Sequence, residues 1–205
     1  MKAFIKEWGI FITIIALAIL SRIFIWAPVA VDGHSMDPTL ADKERLVIIK
    51  TATINRFDIV VAKEGDKNIV KRVIGMPGDV ISYNNDQLTI NGKKYDEPYL
   101  ADFKAQLASG QLEKTYGSYP LTSSLSSADR SNFVSLAQKT QAFTTDTNTG
   151  NPTFTVTVPK GEYYLMGDNR VVSRDSRAVG AFPRSEIVGE AKLRIWPLSK
   201  IGFIN

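Results

Sequence analysis

The sequence predicts a mainly β fold, a barrel or complex β domain, carried behind one N-terminal transmembrane helix and interrupted by a small inserted subdomain. Three observations predict it. Short β-branched runs separated by turn residues fill most of the chain, one apolar segment of membrane length lies near the start, and a polar stretch over 101–152 lacks strand alternation.

The apolar segment runs nineteen residues from Trp8 to Trp26, and only Ser21 and Arg22 interrupt it as strongly polar side chains. A helix needs about 20 apolar residues to cross a bilayer core. Arg22 lies near one end, where its aliphatic stem can follow the helix while the guanidinium reaches the interface. Trp8 and Trp26 bracket the segment as interfacial aromatics do. Lys2 and Lys6 place residues 1–7 in the cytoplasm, although Glu7 and Arg22 weaken the charge contrast. A cleavable secretory signal fits less well. Cleavage after Ala30 sets Pro28 three residues back, and cleavage after Ala27 sets Ile25 there, so no small-x-small site is present. The expected arrangement is a single-pass type II protein of the cell membrane, anchored by residues 8–26, with its body outside the cytoplasm.

Strands are expected at Leu46 to Ile49, Asp58 to Ala62, Ile69 to Ile74, Val80 to Tyr83, Leu88 to Ile90, Phe154 to Val158, Tyr163 to Met166 and Ile187 to Ile195. Asn91-Gly92 between Leu88-Thr89-Ile90 and Lys93-Lys94-Tyr95 signals a two-residue hairpin. Met76-Pro77-Gly78-Asp79 reads as a turn with its backbone set by proline and glycine. Residues 27–100 and 153–205 therefore form one β domain, split by the insertion over 101–152. Within the insertion, Ser127 is positioned to cap a short helix carrying Phe133, Leu136 and Ala137 on one side. The insertion is expected to be solvated and to carry no chemistry.

With 205 residues and 44% apolar side chains, the chain can supply one good-sized core beyond an anchor. Its 25 basic and 21 acidic residues are spread along the chain, which argues against a nucleic-acid partner. No cysteine is present, so disulfides, thiolate metal sites and thiol nucleophiles are excluded. One histidine without clustered carboxylates is too little for zinc. No metal or cofactor is expected, and nothing in the pattern specifies an oligomeric state.

Ser35, in the run GHSMDPTL, lies nine residues past Trp26. Its neighbour His34 points the opposite way in an extended chain, so it is read as an exposed bystander. A serine nucleophile here needs another base, and a deprotonated lysine is the known alternative. Lys71 lies within Asn68-Ile69-Val70-Lys71-Arg72-Val73-Ile74, and strand alternation sets it on one face with Ile69 and Val73, where apolar neighbours disfavour the ammonium. Lowering a lysine from about 10.4 to about 7 or 8 takes roughly 3 to 4 kcal/mol. Arg72 cannot serve, because a guanidinium stays charged. Taken singly, Ser35 reads as a turn-capping serine and Lys71 as a surface lysine; the surrounding motifs change both readings.

Four runs occur in order: Ser35 to Leu40, Arg56 to Val61, Lys71 to Asp79, and Gly167-Asp168-Asn169-Arg170 through Ser173, Asp175, Ser176 and Arg177. In this order after an anchor, the chain resembles type I signal peptidases, membrane-bound serine-lysine proteases that remove signal peptides from exported preproteins. The resemblance implies a signal-peptidase-like β fold, Ser35 as nucleophile, Lys71 as general base and an acyl-enzyme. It implies that Ser173 hydrogen-bonds the lysine amine and that Asp175 and Arg177 form a supporting ion pair. Gly33 stands where some members carry a serine that helps bind the oxyanion, as in many Gram-positive members, so backbone donors including the Ser35 amide take that role. Val31, Gly33, Met36, Leu40, Ile69 and Val70 are implied to bind the substrate, a strand ending in small-x-small that lies beside Val31 to Gly33 and Asn68 to Val70. The partners implied are preprotein signal peptides and the lipid bilayer.

At most about 30 Å of extended chain separates Trp26 from Ser35, which keeps the serine near the membrane surface. Trp196 and Phe57 fit core packing, the favoured reading, or an apolar surface dipping into lipid. Two other readings fit part of the pattern. One is a self-cleaving repressor-type serine-lysine protease, which lacks an anchor and carries a DNA-binding module absent from this sequence. The other is a non-catalytic membrane-anchored relative that assists assembly of surface structures, which should have lost the serine or the lysine.

Overall fold

The computed structural model of the chain describes residues 2–117 and 125–204, with side chains apart from those of 2–7 and 115–117. The chain begins with helix α1 (Lys2–Phe24). From Trp8 onward its apolar side chains are largely exposed, as at Ile10 and Phe24. Among the described residues no helix is long and apolar enough to cross a membrane. The helix stops two residues short of the expected boundary, because Trp26 already belongs to strand β1 (Trp26–Ala30), which pairs with β2 (Arg45–Ile49) from Trp26↔Ile49 to Ala30↔Arg45. No linker separates helix from sheet. Lys50 donates from Nζ to the Arg22 and Ile23 carbonyls at 3.3 and 2.7 Å, satisfying carbonyls of the last helical turn.

The remaining strands are β3 (Ile59–Glu64), β4 (Lys67–Gly75), β5 (Val80–Asn84), β6 (Gln87–Ile90), β7 (Lys93–Tyr95), β8 (Thr153–Thr157), β9 (Glu162–Met166), β10 (Phe182–Pro183), β11 (Ile187–Trp196) and β12 (Gly202–Phe203). One sheet runs β1-β2-β11-β3-β4-β9-β10 with β12 on β11; a second runs β7-β6-β5-β8. Every pairing is antiparallel. The expected hairpin forms, with Ile90 opposite Lys93 and positive φ at both Asn91 and Gly92, as a two-residue turn of that hand requires. The turn before β5 also forms, Asp79 donating its amide to the Met76 carbonyl at 3.0 Å.

Three buried clusters hold the sheets together. Val31, Met36, Leu40, Leu46 and Val70 share one; Ile74, Ile81, Tyr83 and Leu88 share another; Val60, Val73 and Leu165 belong to the third. Phe57 packs against the second, as expected of a core residue. Trp196 does not: it is 49% exposed, because β11 ends there and the chain turns onto the surface through exposed Leu198 and Ile201.

The insertion is a folded unit. It contains α2 (Ala101–Ala108), α3 (Leu112–Gly117) and α4 (Ser127–Lys139) around Leu100, Phe103, Leu112, Ala137 and Phe143. Ser126 caps α4 in place of Ser127, its hydroxyl accepting from the Asp129 amide at 3.1 Å. Phe133 and Ala137 do turn to the packed side.

Candidate active site

The segment after β1 is pinned on both edges. Val31 exchanges backbone hydrogen bonds with Glu44 and Lys43 at 2.8 and 2.9 Å, and the Gly33 amide donates to Asp42 Oδ1 at 2.9 Å. Gly33 has φ +88°, a conformation that glycine reaches without steric cost. Met36 and Leu40 then plunge into the first cluster, so Ser35 stands between a turn and two buried anchors.

Lys71 lies opposite Val60 across the β3–β4 ladder and is 3% exposed. Its Nζ is 2.6 Å from Ser35 Oγ. Burial pushes the amine down to about 8; the carboxylates of Asp175 and Glu64 pull the other way, and the Arg177 guanidinium adds to the lowering. An amine at about 8 is neutral in about a tenth of molecules at pH 7, against well under about a thousandth for an ordinary lysine.

The loop after β9 holds this pair. The Asn169 amide donates to the Ser35 carbonyl at 3.0 Å, and its side-chain Nδ2 donates to the His34 carbonyl at 3.1 Å. Asp168, fully buried, accepts from Arg72 Nε and Nη2 at 2.9 and 2.7 Å and from the Thr39 hydroxyl at 2.6 Å. Asp168 thereby joins the strand bearing Lys71 to the loop bearing Ser35. Arg170, also buried, donates to the Gly167 carbonyl at 2.9 Å and pairs with Glu97. A Cβ on Gly167 would run into the Ser173 side chain and the Ser35 carbonyl, so the loop approaches this closely only with glycine there.

Asp175 and Arg177 form a buried ion pair at 2.8 Å. Asp175 caps the short helix α5 (Ser176–Val179) and also accepts from the Gly167 amide at 3.0 Å. Burial pushes its carboxyl up, but Arg177 outweighs this and holds it below the usual carboxylate value. Arg177 donates further to the Arg170 and Thr145 carbonyls at 2.7 and 3.1 Å, tying loop to insertion. Ser173 is buried beside Gly167, yet its Oγ makes no hydrogen bond among the described residues, so the expected bond to the Lys71 amine is not formed in this structure.

His34 is not exposed. Its side chain is 11% exposed, and Nδ1 lies 2.9 Å from buried Asp37, whose hydrogen bond raises the imidazole above its ordinary value. The sequence gives no hint of this, because the contact depends on the turn that brings residues three apart together. Of the residues expected to bind substrate, Val31, Met36, Leu40 and Val70 sit together in the first cluster, whereas Ile69 lies on the other face against the third. The edge of β4 is open at this point: residues 68–70 pair with β3, and β9 joins only from Arg72. The Ser35 amide donates to no protein acceptor among the described residues. Arg72, Thr39, Asp168, Asn169 and the Arg170–Glu97 pair were not singled out as site residues; all but Glu97 stand within the motif runs, but their partners lie far along the chain.

Residues 4–196 match the family described as signal peptidase, peptidase S26. The chain belongs to that family. Signal peptidase I of Streptococcus pneumoniae serotype 4 (strain ATCC BAA-334 / TIGR4) is 55% identical over 203 residues, covering 98% of this chain and 97% of that protein. Signal peptidase IB of Staphylococcus aureus strain COL is 39% identical over 208 residues, covering 98% and 94%. A solved signal peptidase I from Enterococcus faecalis aligns with TM-score 0.46 and 27% identity over 68% of this chain and 97% of that one. As a member of peptidase S26, the chain is an enzyme, a peptidase of Gram-positive type. That membership weighs against the non-catalytic and repressor-type readings.

Proposed function

We propose that this peptidase cleaves N-terminal signal peptides from exported preproteins after a small-x-small site, with Ser35 as nucleophile and Lys71 as general base. The observation that carries the reading is the 2.6 Å contact between Ser35 Oγ and an amine that burial brings down to about 8. In the neutral state, Lys71 Nζ accepts the Ser35 proton as Oγ attacks the scissile carbonyl carbon. The Ser35 amide donates to the oxyanion, and Gly33 adds no side-chain donor. As the intermediate collapses, the C–N bond breaks and the Lys71 ammonium returns its proton to the leaving amine. The signal peptide is then an ester on Ser35. Lys71 next takes a proton from water as the water oxygen attacks the ester carbonyl. The acyl C–Oγ bond then breaks, and the Lys71 ammonium returns the proton to Ser35 Oγ, releasing the signal peptide as its carboxylic acid.

The open edge of β4 at 68–70 supports addition of the substrate as a strand, with backbone hydrogen bonds giving affinity and small side chains fitting a shallow apolar wall. Val31, Met36, Leu40 and Val70 supply that wall, while Ile69, on the other face of β4, does not join it. Ser173 orients the amine when substrate is bound, and Asp175 with Arg177 keeps the supporting loop in place.

Helix α1 serves as the anchor. Its apolar run from Trp8 to Phe24 accounts for about 26 Å of helix, and Ile25 and Trp26 carry the expected anchor on to the interface. The direct passage from α1 into β1 holds Ser35 near the bilayer surface, where a tethered signal peptide presents its cleavage site at high effective concentration. Exposed Trp196, Leu198, Ile201 and Phe203 supply an apolar edge for the same surface.

The test is processing of a membrane-embedded preprotein by the full chain in proteoliposomes, with Ser35→Ala and Lys71→Met alongside. The wild type should release the mature protein and both variants should not. Equal processing by Ser35→Ala would remove the serine mechanism.

A further inference from the structure

A cavity of about 340 Å³ opens between the inserted helix α4 and the segment Asp32 to His34, which leads into Ser35. Asp129 and Phe133, four residues apart and so on one face of α4, form its outer wall; Gly33 and His34 form its floor, and Lys43 stands at its rim. The Phe133 ring meets the His34 ring edge-on at 5.9 Å. The insertion, expected to be a bystander, thus reaches the residue next to the candidate nucleophile.

We propose that this cavity is a subsite for the mature chain just beyond the scissile bond, selective for cationic side chains there. The inference rests on the peptidase reading and deepens it. The residues before the scissile bond are assigned to the open edge of β4, none of whose residues lines the cavity. The flank of Ser35 toward Gly167 is closed, since Asn169 bonds the Ser35 carbonyl and Gly167 leaves no room for even a Cβ. The departing chain is therefore directed over His34. At about 3.3 Å per residue, its second or third residue lies above the cavity.

The lining chemistry sets the preference. Three carboxylates, Asp32, Asp42 and Asp129, line it with Lys43 and His34. Lys43 pairs with Asp32 at 2.8 Å and with Asp42 at 3.3 Å, and His34 Nδ1 pairs with Asp37. Asp129 accepts from the Ser126 hydroxyl at 2.7 Å and forms no salt bridge among the described residues. A lysine or arginine can lay its aliphatic stem on Phe133 and its charge against Asp129, whereas a carboxylate meets like charge.

The test is a competition assay. The full-length enzyme in proteoliposomes receives an equimolar mixture of two preproteins, identical except for Lys or Glu at the second residue after the cleavage site. The ratio of their consumption does not depend on how much enzyme is active. Wild type should favour the lysine substrate on the order of fivefold, the size expected of one partly screened ion pair. Asp129→Lys should bring the ratio to one or invert it, and Asp129→Asn should lower it even if the lysine variant folds poorly. A wild-type ratio of one, or a ratio unchanged in both variants, overturns the subsite. Consumption of either substrate by Ser35→Ala would instead sink the peptidase mechanism, so the two failures are separate.

Discussion

The Lys71 amine and the Ser35 hydroxyl are 36 positions apart in sequence and 2.6 Å apart in space. Ser35 is held through β1, Met36 and Leu40, Lys71 through the β3–β4 ladder, and the two supports meet where Ile59, Val61 and Val70 of that ladder pack in one cluster with Met36 and Leu40. The loop after β9 closes the pair, with Asn169 on Ser35 and Asp168 on the neighbour of Lys71. The chemistry at this junction leads to four further tests.

Cleavage should depend on pH through Lys71. With its amine at about 8, the neutral fraction rises tenfold per pH unit below that value and levels off above it. A profile of kcat/KM should follow that rise. Lys71→Arg, which cannot lose its proton in this range, should show no turnover at any pH tested.

Lys71→Met should raise stability while abolishing activity. The folded chain holds the lysine near 8 against an ordinary value of 10.5, so the ammonium is disfavoured in the fold. The sign follows: the cost is fully present below about 8, shrinks as pH rises toward the unfolded value, and vanishes above it. Denaturant unfolding at pH 7 should show about 3 kcal/mol gained by the variant, with the gain fading by pH 10 and above. A variant less stable than wild type at pH 7 would contradict the burial argument.

Breaking the Asp175–Arg177 pair should be severe. Both side chains are buried, and Asp175→Asn leaves the Arg177 charge without its carboxylate, a change worth about 3 to 5 kcal/mol. Arg174→Ala, which removes a pair with Glu64 on a largely exposed guanidinium, should cost under about 1 kcal/mol. Thermal melts of the two variants give the comparison.

Ser173→Ala separates positioning from packing. The hydroxyl is buried without a partner among the described residues, so its removal should leave the melting temperature nearly unchanged. If the hydroxyl engages the amine once substrate binds, kcat should fall about tenfold at constant KM, the scale of one hydrogen bond. Unchanged kcat would assign Ser173 to packing alone.

Much of the fold is legible in the residues because its determinants are local. Asn91-Gly92 can turn only one way, Met76 to Asp79 carries its own proline and glycine, and β-branched alternation marks β2 to β6 within two residues of their ends. The cap of α4 shows the limit of that reasoning, since Ser126 and Ser127 are equivalent until the backbone angles choose between them. Trp196 stays open between core and surface for a related reason: a large aromatic is apolar in any context, and only the end of β11 determines that it faces outward.

The chain's chemical potential as a hydrolase follows from the sequence by itself: no thiol, one histidine beside a serine, and a lysine in an apolar strand. Tertiary structure alone decided how far that lysine is desolvated, that His34 pairs with Asp37, that Asp168 finds Arg72 across 96 positions, and that an inserted helix walls the neighbourhood of Ser35. The division has one physical cause. Backbone preference depends on neighbours a few residues away, whereas burial, charge pairing and cavity shape depend on groups that meet only after the chain has closed on itself.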